Sequence, residues 1–209
     1  MPPPKGQMMT PATAHGVKLM SMGFLVKPDQ PLIWRGPMLH SAIRQFLTEV
    51  EWGDLDYLIV DLPPGTGDAP LSVSQAVPLS GSVIVTLPQE VSQADARRVA
   101  MMFKQMEVPL LGVVENMSYL AMPDGSQMDL FGRGGGKKLA AELGVPFIGE
   151  VPIDAQVRIG GDNGVPILVS HPDSAAAKAF RAIAEDIAAK ISLQTLSRKD
   201  NLISVEMIA

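Results

Sequence analysis

The sequence predicts an α/β fold: a doubly wound, mostly parallel sheet with helices on both faces. Three observations carry that expectation. Short β-rich runs alternate with segments of helical periodicity along the chain. The runs "DYLIVD", "GSVIVTLP" and "PLLGVVEN" are continuously apolar, as strands buried on both faces must be. The connections are short, which implies right-handed βαβ crossovers in one sheet. A chain of 209 residues is long enough to bury one substantial core.

The elements follow in order. "GVKLMSMGFLV" (Gly16–Val26) predicts the first strand. "PMLHSAIRQFLTEV" predicts a helix, with Pro37 at its first position and Leu39, Ile43, Phe46, Leu47 and Val50 on one face. "DYLIVD" is the next strand, "PLSVSQAVPL" a short helix and "GSVIVTLP" a further strand. Ser92–Met106 has long helical periodicity, and its Met101, Met102 and Met106 read as core filler rather than a soft-metal site. "PLLGVVEN" is a buried strand ending at Asn116. Gly134–Gly144 is a helix opened and closed by glycine, leading into the strand "PFIGEVP". Ser174–Ile191 is the last helix, with Phe180, Ile183, Ile187 and Ile191 as its apolar stripe. The expected organisation is an irregular segment 1–15, one domain over 16–192, and a tail 193–209. That tail is either disordered or adds an edge strand through "LISVEMI".

Composition removes whole function classes. A formal charge of −5 lacks the basic footprint of a nucleic-acid binder. No apolar run approaches the roughly 20 residues that span a bilayer. The opening "MPPPKGQMMTPATAHG" has no apolar h-region, so no secretory signal is read there. The expectation is therefore a cytoplasmic protein with neither nucleic acid nor membrane as partner. With no cysteine, disulfides, thiol catalysis and Cys-ligated metals are excluded on this chain. His15, His40 and His171 lie too far apart to suggest a metal site. There is no G-x-S-x-G, no H-E-x-x-H and no G-x-G-x-x-G after a strand.

The chemistry concentrates in "YLIVDLPPGTGD". In an α/β sheet the carboxyl ends of the strands form the ligand crevice, and Asp61 sits at such an end. Its carboxylate suits Mg²⁺ held through a water, because Mg²⁺ keeps its hydration shell. Gly65 and Gly67, flanking Thr66, let backbone N–H groups come close to a terminal phosphate. The alternative is an Asp that caps the next helix beside a Pro-rich turn.

"FGRGGGKKLAAELG" invites comparison with a phosphate loop, but Lys137 is followed by Lys138 rather than Ser or Thr. The polar "MPDGSQMDLFGR" precedes it where a buried strand should be. It reads as a helix start, which can still take an anion on its free N–H groups. Asn116 can read an adenine edge, since an amide donates and accepts at once. "VPID", ending at Asp154, is a second place for a base or ribose. Arg35, in "WRGPM", either pairs with phosphate or belongs to a surface turn.

Taken together, "HGVKLMSMGFLV", "WRGPMLH", "LDYLIVDLPPGTGD", "GVVENMSY", "FGRGGG", "LGVPFIGEVPID" and "GGDNGVPI" closely resemble the Mrp/ApbC-type ATPases. These are iron–sulfur cluster carriers in the MinD/ParA branch of P-loop NTPases. The resemblance covers roughly Gly16 to Ile191. It implies ATP with Mg as cofactor, a homodimer, and iron–sulfur client or scaffold proteins as partners. By this resemblance Asp61 matches the Walker B carboxylate, catalytic and on the Mg²⁺ side. Pro63 to Asp68, with Gly65, Thr66 and Gly67, match the γ-phosphate switch. Asn116 matches the adenine-reading residue, and Pro152 and Asp154 the segment lining base and ribose.

Two departures shape the functional expectation. Members of the family open with a strand, a phosphate loop carrying two lysines, and a helix; this chain is expected to start after them. The fold is then missing its first strand–P-loop–helix unit, and ATP hydrolysis by this chain alone is expected to be impaired. Many relatives also carry C-P-x-C where this chain has Met122-Pro123-Asp124-Gly125, so iron–sulfur ligands are none. Leaving out the first strand is expected to expose apolar edges at "YLIVD" and "SVIVT", favouring partner pairing and a poorly stable monomer. The alternative function is a non-enzymatic scaffold that keeps the fold without catalysis. A MinD/ParA-like positioning switch is disfavoured, because no basic amphipathic helix or DNA-binding patch is visible.

Overall fold

A computed structural model describes the backbone of residues 8–25, 36–122 and 124–200, and the side chains of 8–25, 38–122 and 124–196. Val26, Arg35, Pro123 and "LISVEMI" lie outside the described residues. The chain forms two compact units, Met1–Pro78 and Leu79–Ala209.

The first unit opens with a hairpin. Strands β1 (Ala12–Ala14) and β2 (Val17–Leu19) pair antiparallel, with Ala12 opposite Leu19. His15 and Gly16 between them have φ of 51° and 79°, the two left-handed residues that a tight hairpin turn requires. This turn divides what periodicity alone reads as a strand from Gly16; a short 3-10 helix, Met22–Leu25, follows. Helix α1 (Gly36–Thr48) packs on α2 (Asp68–Ala76), and Ala42, Ala69 and Val73 are buried. His40 Nδ1 lies 3.1 Å from the buried Ser72 Oγ, a polar link between these helices. Met9 bridges Val50 in parallel fashion, its N–H donating to Glu49 O at 2.6 Å.

The "DYLIVD" expectation is corrected here. Tyr57–Val60 is not a strand, all four side chains are exposed, and Ile59 is 89% exposed. The reason is physical. A β-prone apolar run becomes a strand only where neighbouring strands accept its N–H and C=O groups. Among the described residues no ladder partner reaches it.

The second unit is an α/β sheet in parallel order. Its elements are β3 (Ser82–Thr86), α3 (Glu90–Gln105), β4 (Leu110–Glu115), β5 (Leu120–Ala121), β6 (Gln127–Met128), α4 (Gly135–Leu143), β7 (Phe147–Glu150), α5 (Ala155–Asn163), α6 (Ile167–Ser170) and α7 (Ala175–Asp200). The sheet order is β3-β4-β7 with both pairings parallel, Val113 lying opposite Ile84 and Phe147. β4 is central, so Leu111 through Glu115 are all buried. β3 is an edge: Val85 is 60% exposed between buried Ile84 and Thr86. Helices α3 and α4 pack together and onto β3 and β4, through Ala96, Ala100, Phe103, Leu139 and Leu143. Arg97 joins them at the surface, 2.7 Å from Glu142, and holds that carboxyl below the usual range. Helix α7 covers β7 and β4.

Two elements lie outside the periodicity reading. α5 and α6 carry little apolar pattern, yet Asp154 caps α5 by accepting from Gln156 N at 2.8 Å, and Gly164 ends it in the left-handed region. Residues 193–200, expected in an irregular or strand-like tail, continue α7. No Gly or Pro interrupts "SLQTLSRKD", so nothing in the sequence stops the helix. Likewise β1 falls inside the segment expected to be irregular.

The α5 glycines yield a paired prediction. A Cβ at Gly160 would sit 2.4 Å from Val165 O, whereas one at Gly161 meets nothing within 4 Å. Gly161→Ala is expected to raise stability by about 0.5–1 kcal/mol through helix propensity. Gly160→Ala is expected to lower it by about 1–3 kcal/mol through overpacking. Denaturant melts of the two variants check the opposite signs.

Candidate functional site

The sequence-predicted residues fall in both units. In the first, Asp61 is exposed and lies in irregular chain, not at a strand end. Gly65 has φ +91°, and added Cβ atoms at Gly65 or Gly67 would meet nothing within 4 Å, so the loop is open. Gly67 is the N-cap of α2 without a side-chain cap bond, and Asp68 is the acidic residue of its first turn. Asp61 is thus not the helix cap: the cap is six positions on. Thr66 sits exposed between the two glycines, directly before a helix start whose N–H groups no side chain caps. Asp68 already places one negative charge in that first turn, where the helix dipole favours it.

In the second unit, Asn116 directly follows β4, its N–H donating to Thr86 O at 2.8 Å. Its Oδ1 accepts from Met117 N at 2.9 Å, and its NH₂ takes no part in that bond. The turn that follows Asn116 lies against the segment that holds Pro152 and Asp154. Ser118 N donates to Val151 O at 3.0 Å, and Ile153 N donates to Tyr119 O at 2.7 Å. Asp154 already uses Oδ1 as the cap of α5. The other carboxylate oxygen takes no part in that cap.

Sequence reasoning missed Glu115. It is fully buried, and its Oε1 accepts from Ser118 Oγ at 2.5 Å and from Gly134 N at 3.2 Å, while Oε2 accepts from Gly136 N at 2.6 Å. The glycine-rich helix start is therefore closed by the protein's own carboxylate, not open to an external anion. Gly136 is required by this closeness, a Cβ there lying 2.8 Å from Glu115 Cβ. The available signal was a Glu inside an otherwise apolar strand, followed at the third position by Ser118. Arg133 was missed too; its guanidinium lies 5.9 Å from the Tyr119 ring centroid.

The stretch around Met122 is the turn of the β5–β6 hairpin. Gly125 N donates to Met122 O at 3.0 Å. Asp124 Oδ1 accepts from Ser126 Oγ at 2.6 Å and Ser126 N at 2.9 Å, which holds the Asp124 carboxyl below its usual range. Because that pKa is depressed in the folded state, the stabilisation is present above the unfolded pKa. It is lost as pH falls through the lower folded value. Ser126→Ala is expected to return the Asp124 titration, followed by NMR, toward the ordinary range. A thioether and a glycine do not fit a thiolate-held cluster. Among the described residues no group of three or more His, Asp and Glu is placed to hold a metal ion. Nor is any described helix long and apolar enough to cross a membrane.

Comparisons with known proteins identify the family. The iron–sulfur cluster carrier protein of Synechocystis sp. is 60% identical over 195 residues, covering 92% of this chain and 55% of that protein. The iron–sulfur cluster transfer protein NUBPL of Dictyostelium discoideum is 48% identical, covering 92% of this chain and 60% of its own length. The chain thus spans a little over half the length of these curated relatives. Among solved structures, the nucleotide-binding protein of Archaeoglobus fulgidus in complex with ADP superposes with a TM-score of 0.65 at 38% identity, covering 80% of this chain and 64% of that one. The ParA family model described as NUBPL iron-transfer P-loop NTPase matches residues 2–188. With the parallel β3-β4-β7 sheet and the Asn116 turn in place, this chain belongs to the ParA/NUBPL iron-transfer P-loop NTPase family.

Proposed function

We propose that this chain is an ATP-binding protein of iron–sulfur cluster assembly or transfer, working as a homodimer with iron–sulfur client or scaffold proteins. Asn116, Pro152 and Asp154 are assigned to the adenine base and ribose. Gly65, Thr66 and Gly67 are assigned to the γ-phosphate, and Asp61 to Mg²⁺ through a water, where it would act in hydrolysis. When bound, ATP with Mg²⁺ supplies the phosphoanhydride whose presence or loss the Gly65 loop reads. The cluster is cargo, and with no cysteine this chain does not bridge it by thiolates.

The observation that carries the reading is the Asn116 turn. A half-buried amide stands at the carboxyl end of the central strand, beside the Val151–Asp154 segment, with its NH₂ outside the turn's own hydrogen bond. Support comes from the ADP complex of the 38%-identical Archaeoglobus protein and from the names of the carrier relatives. Hydrolysis by this chain alone is expected to be impaired, since Asp61 and Gly65–Gly67 orient a terminal phosphate but supply no lysine to neutralise it.

The test is displacement of a fluorescent ATP analogue by ATP and by GTP. Asn116→Ala is expected to weaken ATP about tenfold while changing GTP little, because a site that hydrogen-bonds a base edge rejects the wrong one. Asp61→Ala is expected to remove the Mg²⁺ dependence of binding. Equal loss of ATP and GTP in Asn116→Ala would contradict the assignment. The scaffold reading would then take its place, favoured by the exposed Tyr57–Val60 run.

A further inference from the structure

We infer that Glu115 is a positioning residue for base recognition: its buried carboxylate holds the Asn116–Tyr119 turn in register with the Val151–Asp154 segment. This rests on the nucleotide reading above. Three segments converge on Glu115. Its carboxylate accepts from Ser118 Oγ in the turn and from the Gly134 and Gly136 N–H groups at the start of α4. Its backbone carbonyl accepts from Val151 N at 2.8 Å. Glu115 is also the residue immediately before Asn116, so any shift at the end of β4 moves the amide.

Burying a carboxylate is costly unless every lone pair is used, and an uncharged cap would serve α4 at lower cost. Capping alone explains the two glycine bonds. It does not explain the Ser118 bond, nor the turn it secures. Met117 in that turn has φ +52°, a left-handed conformation that a side chain such as methionine rarely adopts. Such a residue persists only where its surroundings fix it from several sides. Here those constraints are Asn116 Oδ1 on Met117 N, Ser118 N on Val151 O, and Ser118 Oγ on Glu115. Ser118 Oγ also lies 3.2 Å from Glu150 Oε2. A hydroxyl has one proton, and the 2.5 Å contact to Glu115 takes it.

The experiment compares ATP and GTP displacement in Glu115→Gln, Ser118→Ala and, as a control, the exposed Lys137→Ala. In Glu115→Gln the new NH₂ faces either a backbone N–H or the Ser118 hydroxyl proton. Ser118→Ala removes only the link to the turn and keeps both α4 bonds, so it carries the test if Glu115→Gln does not fold. The expected result is a fall of about tenfold in the ATP-over-GTP preference in both variants, with none in Lys137→Ala. Adding Asn116→Ala to Ser118→Ala is expected to cause no further fall, because the two act through one contact. Folded variants with an unchanged preference would overturn the inference and leave Glu115 as a cap of α4. A folded wild-type chain that binds neither nucleotide would instead overturn the nucleotide reading, and this role with it. The two failures are told apart by the wild type alone.

Discussion

Gly135→Ala is expected to lower the unfolding free energy by about 3 kcal/mol, a large share of the stability of a domain this size. A Cβ at this position would lie 2.3 Å from Pro88 O and 2.2 Å from Gln93 Nε2, itself bonded to Pro88 O at 2.7 Å. The obstacle is backbone, which cannot rotate away as the end of a side chain can. Relief would require α4 to withdraw from the loop after β3, stretching the Gly134 and Gly136 bonds to Glu115. The exposed Lys137 beside it is the control: Lys137→Ala is expected to change stability by less than about 0.5 kcal/mol. Denaturant unfolding followed by circular dichroism measures both. A loss below about 1 kcal/mol for Gly135→Ala would mean that the loop after β3 yields, and that the Glu115 network is not rigid.

The second large effect is on association. Tyr57, Leu58, Ile59 and Val60 place four adjacent apolar side chains in water, and among the described residues no strand pairs with them. Such a run is a template for pairing with another chain. Ile59 is the most exposed of the four, so Ile59→Asp removes apolar surface and adds charge without opening a core. Sedimentation velocity is expected to show self-association of the wild-type chain, and a weakening of at least about tenfold in Ile59→Asp with an unchanged melting temperature. A wild-type chain that sediments as a monodisperse monomer and unfolds cooperatively would contradict this.

Much of the second unit was legible in the sequence, because β3, β4, β7, α3, α4 and α7 announce themselves by period and by flanking Gly and Pro. The errors have distinct physical causes. "DYLIVD" has strand composition, but composition does not supply the neighbours that a strand needs. The His15–Gly16 turn shows in backbone conformation rather than in hydropathy. α5 depends on its Asp154 cap and Gly164 stop more than on an apolar stripe. Of the residues proposed for the nucleotide, Asp61, the Gly65 loop, Asn116 and Asp154 stand out in the sequence individually, as motifs. Glu115 escaped notice because its role lies in what it touches, and Ser118, Gly134 and Gly136 approach it only after folding. The "GGG" stretch read as a helix start is one, but its Gly134 and Gly136 N–H groups are taken from within by Glu115.

We propose that this chain binds an adenine nucleotide and is impaired in hydrolysing it. The most direct measurement is a calorimetric titration of the folded 209-residue chain with MgATP, followed by phosphate release from the same sample. The account predicts saturable binding that Asn116→Ala weakens, with phosphate release close to background. A folded chain that gives no binding heat, or one that releases phosphate at a rate ordinary for an ATPase, would contradict it.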